Sequence, residues 1–476
     1  MIALSLAEIA AIVGGQPYDI PDPTVSVTGS VVYDSRKVEA GSLFAAFAGE
    51  RVDGHDYARG AVEQGAVAVL ATRPLGVPAI VVEDVVQALG ALAKAVVERL
   101  GATVVALTGS AGKTSTKDLI AQLLQRAGPT IWPDGNLNNE IGLPITALRS
   151  VEDTRYLVVE MGARYVGDIR YLTGLVPPRV GLVLNVGTAH IGEFGSREKI
   201  AVAKGEMVEA LPPADEGGVA VLNADDPLVR AMESRTRARV LLFGESGEAD
   251  VRAENVRLTA TGQAAFDLRT PSGCREVTLR LYGEHHVSNA LAAAAVAHEL
   301  GLSVDEIAVA LSEAGTLSRW RMEVTERSDG VTIVNDAYNA NPESMRAALR
   351  ALVAMGSAGK ATGGRTWAVL GPMAELGDEA LAEHDAVGRL AVRLNVSKLV
   401  AVGGREASWL RLGAYNEGSW GEESVHVSDA QAAIDLLRSE LRPGDVVLVK
   451  ASRSAGFERL ALALLENATE GEVAGR

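Results

Sequence analysis

The chain has 476 residues, of which 47% are hydrophobic and 22% are charged, and its formal net charge is −16. This length suffices for about three globular domains, and the charged fraction is ordinary for such domains. A strongly acidic chain is not expected to bind nucleic acid, so any site for phosphate must be locally basic. Cys274 is the only cysteine, which excludes an intrachain disulfide and is typical of a reducing compartment.

The N-terminal residues do not have the pattern of a targeting segment. The first basic residue is Arg36, so no positively charged region precedes the first apolar residues. Ser5 and Glu8 have the spacing of a capping box and predict the start of a short helix. The longest apolar run, residues 290–297, is far too short to span a bilayer. We therefore predict a cytoplasmic protein without membrane insertion.

Three α/β domains are predicted, and they span residues 1–84, 85–315 and 316–476. The first is small and has short strands at 25–28, 41–47, 66–70 and 79–82. The central domain begins with a helix at 85–100, alternates strands and helices in the manner of a parallel sheet, and includes an antiparallel patch at 251–281. The third domain is doubly wound, with strands at 331–335, 367–370, 399–402 and 446–449. The polar tail after about residue 467 is predicted to be frayed.

The stretch 103–118, TVVALTGSAGKTSTKD, predicts a buried strand, a glycine turn and a helix. Its glycines let backbone N–H groups turn toward an anion, and the start of the helix adds unpaired donors. Lys113 would reach the terminal phosphates of a nucleotide, and the Thr114 hydroxyl would bind Mg²⁺. The general pattern has another glycine at the position of Leu107, so the match is to a shortened loop. The predicted phosphate-binding residues are Thr108, Gly109, Ser110, Ala111, Gly112, Lys113, Thr114 and Ser115.

Polar residues follow the strands that neighbour this loop. Glu160 ends the second central strand, and with Thr114 it would supply oxygen ligands for Mg²⁺; taken alone, it could equally form a structural ion pair. His190 follows the third strand and is either a metal ligand or a hydrogen-bonded structural residue. Lys204 lies on the next predicted helix, where an ammonium group cannot bind a cation, so its residue type alone indicates a solvated position.

Three further polar stretches are candidates for the site. Residues 136–144, NLNNEIGLP, are either functional or an ordinary asparagine-rich turn. In the stretch NDAYNANP, Tyr338 and Asp336 could bind a base and a ribose, or they could cap the next helix. In KASRS, Lys450 and Arg453 could point into a cleft or form a solvated rim.

Taken together, these stretches resemble the Mur ligases over nearly the whole chain. The segment DSRKVEAGSLFAAFAGERVDGHDYA resembles the uridine-nucleotide domain of that family, and ALTGSAGKTS resembles its phosphate loop. The segments GNLNNEIGLP, VEMGA, AHIGEFGS and AKGE follow in family order. The segments NDAYNANPESM, GPMAELG and VKASRS resemble third-domain signatures of the branch that adds D-alanyl-D-alanine.

The resemblance implies an ATP-dependent ligase that joins D-alanyl-D-alanine to UDP-N-acetylmuramoyl-tripeptide through an acyl phosphate, in cytoplasmic peptidoglycan precursor synthesis. It implies a central P-loop ATPase-like domain, a C-terminal Rossmann-like domain and a small N-terminal α/β domain that binds the uridine substrate. A monomer that binds no nucleic acid is expected.

The resemblance also assigns roles to residues. It implies two Mg²⁺ ions, with Lys204 carbamylated and acting as a ligand beside His190 and Glu160, and it makes Lys113, His190 and Lys204 catalytic. It places Ser35 and Arg36 at the uridine nucleotide. The residues that it places around adenine and ribose are Asn139, Asn289, Arg319, Asp336 and Tyr338. Further residues expected to bind substrate are Asn339, Lys450, Ser452 and Arg453.

The chain departs from the family pattern at three positions. The usual His-Asn-x-x-Asn reads His285-His286-Val287-Ser288-Asn289, the usual Gly-Arg at the entry to the third domain reads Ser318-Arg319, and Pro372 stands where aspartate is common. None of these departures removes a group that the chemistry requires.

Two alternative functions are retained. The first is a sister ligase that adds a single amino acid; against it, the chain has Asn339-Ala340-Asn341-Pro342 and lacks the Asp-Asn-Pro-Arg motif of the ligase that adds diaminopimelate. The second is a nucleotide-dependent switch, which would not require the additional cation ligands or a further α/β domain.

Overall fold

The computed structural model describes residues 1–49, 52–357 and 363–466. Three α/β units follow one another in these ranges, as predicted, and the tail for which fraying is predicted lies outside them. None of the described helices is long and apolar enough to cross a membrane.

The first unit is a small α/β layer. The capping box of Ser5 and Glu8 begins helix α1, as predicted. A five-stranded sheet has the order β2-β7-β6-β5-β4, with β2 antiparallel to β7 and the other pairs parallel, and β1 pairs with β3. The elements are β1 (Leu4–Ser5), α1 (Leu6–Val13), β2 (Gln16–Tyr18), β3 (Ser26–Val27), β4 (Val31–Val32), β5 (Leu43–Ala45), α2 (Ala58–Glu63), β6 (Ala68–Ala71) and β7 (Ala79–Val81).

Helix α3 (Val85–Leu100) joins the first unit to the central one. Both of its ends lie where they were predicted. The Asp84 side chain accepts hydrogen bonds from the first turn, and Gly101 ends the helix in the left-handed conformation. Buried residues of α3 such as Leu92 belong to the same apolar cluster as Leu43 of the first sheet and Val159 of the central sheet. The cores of the two units are therefore continuous through this helix.

The central unit carries a nine-stranded sheet of order β16-β15-β14-β13-β12-β11-β8-β10-β9. Strands β8 to β14 pair in parallel with their neighbours, and β14, β15 and β16 form the predicted antiparallel patch. The elements are β8 (Thr103–Thr108), α4 (Lys113–Gln125), β9 (Thr130–Ile131), α5 (Gly142–Ala147), β10 (Tyr156–Glu160), α6 (Asp168–Leu175), β11 (Val180–Val183), α7 (Ile191–Phe194), α8 (Arg197–Glu209), β12 (Val219–Asn223), α9 (Pro227–Arg230), β13 (Arg239–Gly244), β14 (Val251–Leu258), β15 (Gln263–Thr270), β16 (Gly273–Tyr282), α10 (His286–Glu299) and α11 (Val304–Glu313).

Strand β8 lies where the direction of winding reverses. After the short edge strand β9, the next two strands in the chain are β10 and β11, and they lie on opposite sides of β8. Ligands of open α/β sheets bind at the carboxyl ends of the strands next to such a reversal. The topology therefore places the glycine loop after β8, Glu160 at the end of β10 and Asn185 just beyond β11 at one edge of the sheet.

The third unit is a six-stranded sheet of order β17-β18-β22-β19-β20-β21, in which only the edge strand β17 is antiparallel. Because β18 and β22 are neighbours, their carboxyl-terminal residues Asn335 and Lys450 lie at the same edge. The elements are β17 (Glu323–Glu326), β18 (Thr332–Asn335), α12 (Pro342–Gly356), β19 (Thr366–Leu370), α13 (Ala380–Arg393), β20 (Lys398–Val402), α14 (Arg405–Asn416), β21 (Ser424–Val427), α15 (Ala430–Glu440), β22 (Val446–Lys450) and α16 (Glu458–Glu466).

The connection between the central and third units is attached to helix α4. Gln122 exchanges two hydrogen bonds of 3.0 Å with the backbone of Gly315, and Oδ2 of Asp118 accepts from the Ser318 N–H at 2.9 Å. The buried ammonium of Lys117 donates to the Pro133 carbonyl at 2.8 Å. The helix that follows the glycine loop therefore also holds the segment that leads into the third unit.

Candidate active site

A cavity of about 1340 Å³ lies between the three units. Its lining combines the glycine loop, the strand ends of the central sheet and the strand ends of the third sheet. The sequence-predicted residues that line it are Ser110, Ala111, Gly112, Lys113, Thr114, Ser115, Asn139, Glu160, His190, Lys204, Asn289, Asp336, Tyr338, Asn339, Lys450, Ser452 and Arg453.

The glycine loop has the backbone of an anion cradle. Gly112 has φ +81° and directly precedes α4, so the free N–H groups of the first helical turn point toward the cavity. A Cβ on Gly112 would lie 2.5 Å from Oδ1 of Asn289, which explains why only glycine fits there. Leu107, which stands where the general pattern has another glycine, is fully buried within β8. The loop is short because the strand continues through that position.

Asn185 holds the loop in shape. Its side-chain oxygen accepts hydrogen bonds from the Ser110 and Ala111 N–H groups, both at 2.9 Å, and its amide donates to the Ala111 carbonyl at 3.1 Å. Asn185 was not among the predicted site residues. The structure shows that it orders the loop from the neighbouring strand.

Lys113 lies at the start of α4 with its amine directed back over the loop, where Nζ donates to the Gly109 carbonyl at 2.7 Å. Burial is the main reason why its pKa lies below the ordinary value; the nearby Glu160 carboxylate opposes this shift and Arg321 adds to it. A bound phosphate would add negative charge beside this amine and raise its pKa.

Glu160 is oriented through both of its carboxylate oxygens. Oε2 accepts from the Thr114 hydroxyl at 2.9 Å, and Oε1 accepts from Nδ2 of Asn138 at 2.7 Å. Glu160 is 1% exposed, and the described residues form no ion pair with it at salt-bridge distance. These contacts therefore do not include the structural ion pair that was the alternative for Glu160.

His190 and Lys204 lie at the same part of the cavity. Lys204 is 4% exposed, so the solvated position that its residue type indicated is wrong. Burial, with the positive charge of Lys113 as a second cause, places the Lys204 pKa well below its ordinary value. Burial also lowers the pKa of His190, and the charge of Glu375 opposes that shift.

The described ranges contain no group of three or more His, Cys, Asp or Glu side chains spaced to hold a metal ion. Glu160 and His190 supply two conventional ligand types, and Thr114 supplies a hydroxyl. Typical Mg²⁺ sites complete such a set with water and substrate phosphates, and a further oxygen donor from the protein would add to it.

The third unit contributes a basic and aromatic wall. Lys450 is 2% exposed, and its Nζ pairs with Oδ2 of Asp336 at 2.6 Å and donates to the Asn339 carbonyl at 2.9 Å. Arg453 lies over the Trp320 ring at 4.7 Å and the Tyr338 ring at 5.8 Å. Burial raises the pKa of Tyr338, which keeps its hydroxyl protonated.

The five remaining predicted residues do not line the cavity. Thr108 is buried at the end of β8, and Gly109 offers its carbonyl to Lys113. Ser35 and Arg36 lie in a single turn of 3₁₀ helix, where Arg36 forms an exposed ion pair with Asp34. Arg319 is exposed to solvent.

Arg321, two positions after Arg319, lines the cavity. Its guanidinium lies 4.2 Å from the centre of the Tyr338 ring, and its Nε is buried without a hydrogen-bond partner. Trp320 and Met322 have φ values of +60° and +50°, so the chain turns sharply at this point and directs Arg321 inward. Arg321 was not among the predicted site residues, although it lies in the same short motif as Arg319.

His286 stands where the family pattern has asparagine. It lies one helical turn before Asn289, lines the cavity, and has its Nε2 buried without a protein partner. Its ring stacks on His285 with the centroids 4.2 Å apart. Burial lowers the pKa of His285 to about 4 and that of His286 well below its ordinary value.

This histidine pair predicts an acid-sensitive fold. The folded chain keeps both rings neutral, whereas the unfolded chain takes up protons near pH 6.5, so stability present above that pH is lost as the pH falls toward 4. Each ring contributes a slope of up to about 1.4 kcal/mol per pH unit. We expect the urea denaturation midpoint to fall between about pH 7.5 and pH 5, and H286N to reduce that fall. H426N, at an exposed histidine, is the control. If H426N reduced the fall of the midpoint as much as H286N does, the buried histidine pair would not be the cause of the acid sensitivity.

Comparison with known proteins places this site in a family. Three family models match: "Mur ligase family, catalytic domain" over residues 28–99, "Mur ligase middle domain" over 107–297 and "Mur ligase, glutamate ligase domain" over 320–453. The UDP-N-acetylmuramoyl-tripeptide–D-alanyl-D-alanine ligase of Mycobacterium tuberculosis (strain H37Rv) is 49% identical, with 99% of this chain and 100% of that protein covered.

Two solved structures share the fold over nearly the full length. A crystal structure of MurF from Acinetobacter baumannii has a TM-score of 0.86 and 33% identity, covering 98% of this chain and 99% of that one. MurF from Thermotoga maritima in complex with ADP has a TM-score of 0.79 and 31% identity, covering 93% and 98%. The chain belongs to the Mur ligase family.

Proposed function

We propose that the chain is an ATP-dependent amide ligase that joins D-alanyl-D-alanine to UDP-N-acetylmuramoyl-tripeptide during peptidoglycan precursor synthesis. The relatives that span its whole length carry this activity in their names. The observation that carries the proposal is the cavity, because it joins a phosphate loop and Lys113 to the cationic wall of the third unit. Such a ligase needs ATP and two peptide substrates to meet in one enclosed space.

ATP is proposed to bind across the central and third units. Its phosphates would lie on the N–H groups at the start of α4, with Lys113 at the terminal phosphate. The adenine and ribose would lie between Asn289 and the Tyr338–Asp336 wall. Arg321 takes the role that the resemblance assigned to Arg319, because its guanidinium is the one at the cavity.

Two Mg²⁺ ions are proposed at the corner formed by Thr114, Glu160, His190 and Lys204. The donors fit, since both Glu160 oxygens are held in position and a hydroxyl adjoins them. Bound Mg²⁺ would neutralise phosphate charge and draw the anionic reactants together.

Lys204 is proposed to be carbamylated, which supplies the further oxygen donor. Burial next to Lys113 favours its neutral amine, and a neutral amine can attack CO₂. The nitrogen forms a bond to carbon, one proton is released to solvent, and the side chain becomes a carbamate anion. An unsuitable ammonium is thereby converted into an oxygen ligand.

The proposed chemistry has two steps. The terminal carboxylate of the tripeptide attacks the γ-phosphorus of ATP, the bond to the bridging oxygen breaks, and ADP leaves. Lys113 stabilises the charge that develops on the transferred phosphoryl group. The amine of D-alanyl-D-alanine attacks the acyl phosphate carbonyl, phosphate leaves, and the new amide nitrogen loses a proton. Closure of the units over the site would keep water from the acyl phosphate.

The substrates are proposed to approach from two sides. The uridine nucleotide would lie toward Ser35 and Arg36 of the first unit, whose Tyr33 borders the cavity. Asn339, Lys450, Ser452 and Arg453 would face the peptide substrates. Lys450 and Ser452 have partners within the third unit, so they would act mainly by shaping this wall. Arg453 has the more exposed side chain.

The direct test is phosphate release from ATP in the presence of UDP-N-acetylmuramoyl-tripeptide. We expect release to require D-alanyl-D-alanine and to produce the corresponding pentapeptide, detected by mass. Single amino acids, including a diamino acid, test the sister-ligase alternative in the same assay with the shorter precursor. Release that does not exceed the background with ATP alone for any of these acceptors would refute the ligase proposal and favour a nucleotide switch.

A further inference from the structure

Glu375 brings a carboxylate from the third unit to His190 of the central unit. Its Oε2 lies 2.6 Å from Nδ1 of His190, an ion-pair distance without the alignment of a hydrogen bond. Its other oxygen, Oε1, accepts from Arg164 of the central unit at 3.1 Å. One side chain of the third unit thus contacts two side chains of the central unit, one of which is a proposed metal ligand.

The backbone on both sides is shaped for this contact. His190 and Glu375 have φ values of +61° and +62°, which non-glycine residues adopt at a cost. Beside them, a Cβ on Gly192 would lie 2.8 Å from the backbone nitrogen of Gly377, so the two loops touch backbone to backbone. Two strained residues that face each other across a contact are maintained only when the surrounding structure determines them.

The loop that carries Glu375 is fixed within the third unit. The Met373 N–H donates to Nε2 of the buried His384 at 2.9 Å, and the Ala374 N–H donates to the Ser452 hydroxyl at 2.8 Å. The Ser452 N–H donates in turn to the Pro372 carbonyl at 2.9 Å. Glu375 is therefore held by the third unit, and its distance from His190 depends on how the third and central units are arranged.

A histidine that binds a metal through one ring nitrogen is commonly oriented by a carboxylate on the other. With Glu375 at Nδ1, Nε2 is the nitrogen left for a ligand bond. We propose that Glu375 is a positioning residue through which the third unit, on approaching the central unit, orients His190 and completes the metal-ligand set. This inference rests on the proposed function. It links the arrangement of the units to metal binding, so the site is complete only when the third unit is in place.

The experiment is a titration of Mn²⁺ into the full chain with a non-hydrolysable ATP analogue, with free Mn²⁺ followed by electron paramagnetic resonance. We expect E375A to raise the Kd for Mn²⁺ by about 10-fold. E375Q should have a smaller effect, because its amide keeps the size and position of the side chain and loses only the charge. The matched control is E343Q. Glu343 also links the third unit to the central one, accepting from the N–H and hydroxyl of Thr188 at 2.8 Å, and these hydrogen bonds do not involve His190. E343Q should leave the Kd for Mn²⁺ within about twofold of wild type.

A second measurement distinguishes a positioning role of Glu375 from a role only in holding the two units together. In the phosphate-release assay, E375A should need more Mg²⁺ for half-maximal rate and should recover most of its kcat at saturating Mg²⁺. A purely structural role predicts a lower kcat at every Mg²⁺ concentration. Thermal unfolding within a few degrees of wild type, on the order of 1 kcal/mol, establishes that the variants are folded.

The outcomes discriminate between this inference and the proposed function. Equal Mn²⁺ affinity in E375A and wild type, or an equal loss in E343Q, would overturn the positioning role. If the wild type binds no Mn²⁺, the inference falls together with the metal site. If the wild type binds Mn²⁺ but makes no pentapeptide, the ligase proposal falls while the effect of Glu375 on Mn²⁺ binding remains measurable.

Discussion

Replacing Lys204 with alanine is expected to lower the rate of phosphate release by about 10³-fold, because a lost metal ligand removes several kcal/mol of charge stabilisation. Lys204 is buried in the cavity wall beside Lys113, and alanine leaves a gap where the carbamate would supply oxygen. Short carboxylic acids should occupy that gap and restore part of the rate. The measurement is phosphate release by K204A with and without added acetate or propionate.

The matched control is K199A, which removes an exposed lysine from the same helix α8. It should keep the wild-type rate and show no response to carboxylic acids. Depleting dissolved CO₂ should lower the wild-type rate but not the residual rate of K204A. A K204A enzyme within a factor of about two of wild type would show that Lys204 is not a ligand.

Lys113→Met is expected to lower kcat by about 10³-fold, since it removes the cation that faces the transferred phosphoryl group. The thioether side chain has similar length, so the packing around α4 is kept while the charge is lost. Arginine is not expected to rescue the rate, because its planar guanidinium cannot replace a compact ammonium folded back over the Gly109 carbonyl. Single-turnover phosphate release measures the effect on the chemical step.

Lys94→Met is the control, because Lys94 is an exposed lysine on helix α3, away from the cavity. It should leave kcat unchanged. If K113M binds the ATP analogue as wild type does and loses kcat, Lys113 acts in the transition state as proposed. An unchanged kcat in K113M would place the transferred phosphoryl group elsewhere.

Local features of the fold were predictable because their signals lie within a few residues of each other. Helix α3 has both of its predicted ends, since Asp84 caps its start and Gly101 supplies the left-handed residue at its end. The strands predicted at 399–402 and 446–449 match β20 and β22 to within one residue, because each is a short run of mostly apolar residues that becomes buried. The turn at Gly112 and the helix that begins at Lys113 followed from the same kind of short-range pattern.

Some residues were predicted by type but misjudged in their surroundings. Lys204 has a sequence neighbourhood typical of an exposed helix, and only the packing of α8 against the central sheet buries it. Arg319 and Arg321 are two positions apart in one motif, and the left-handed conformations of Trp320 and Met322 decide which of them faces the cavity. Neither fact has a local signal in residue type or periodicity.

The amino-acid sequence by itself determined the three α/β units, the shortened phosphate loop and most of the residues that border the cavity, because caps, turns and apolar periodicity act between neighbours in the chain. Only the tertiary structure decided that Asn185 shapes the loop, that Arg321 reaches Tyr338, and that Glu375 meets His190. Such contacts join residues that are distant in sequence or depend on an unusual local backbone. They depend on how whole sheets and units pack, which no short segment encodes.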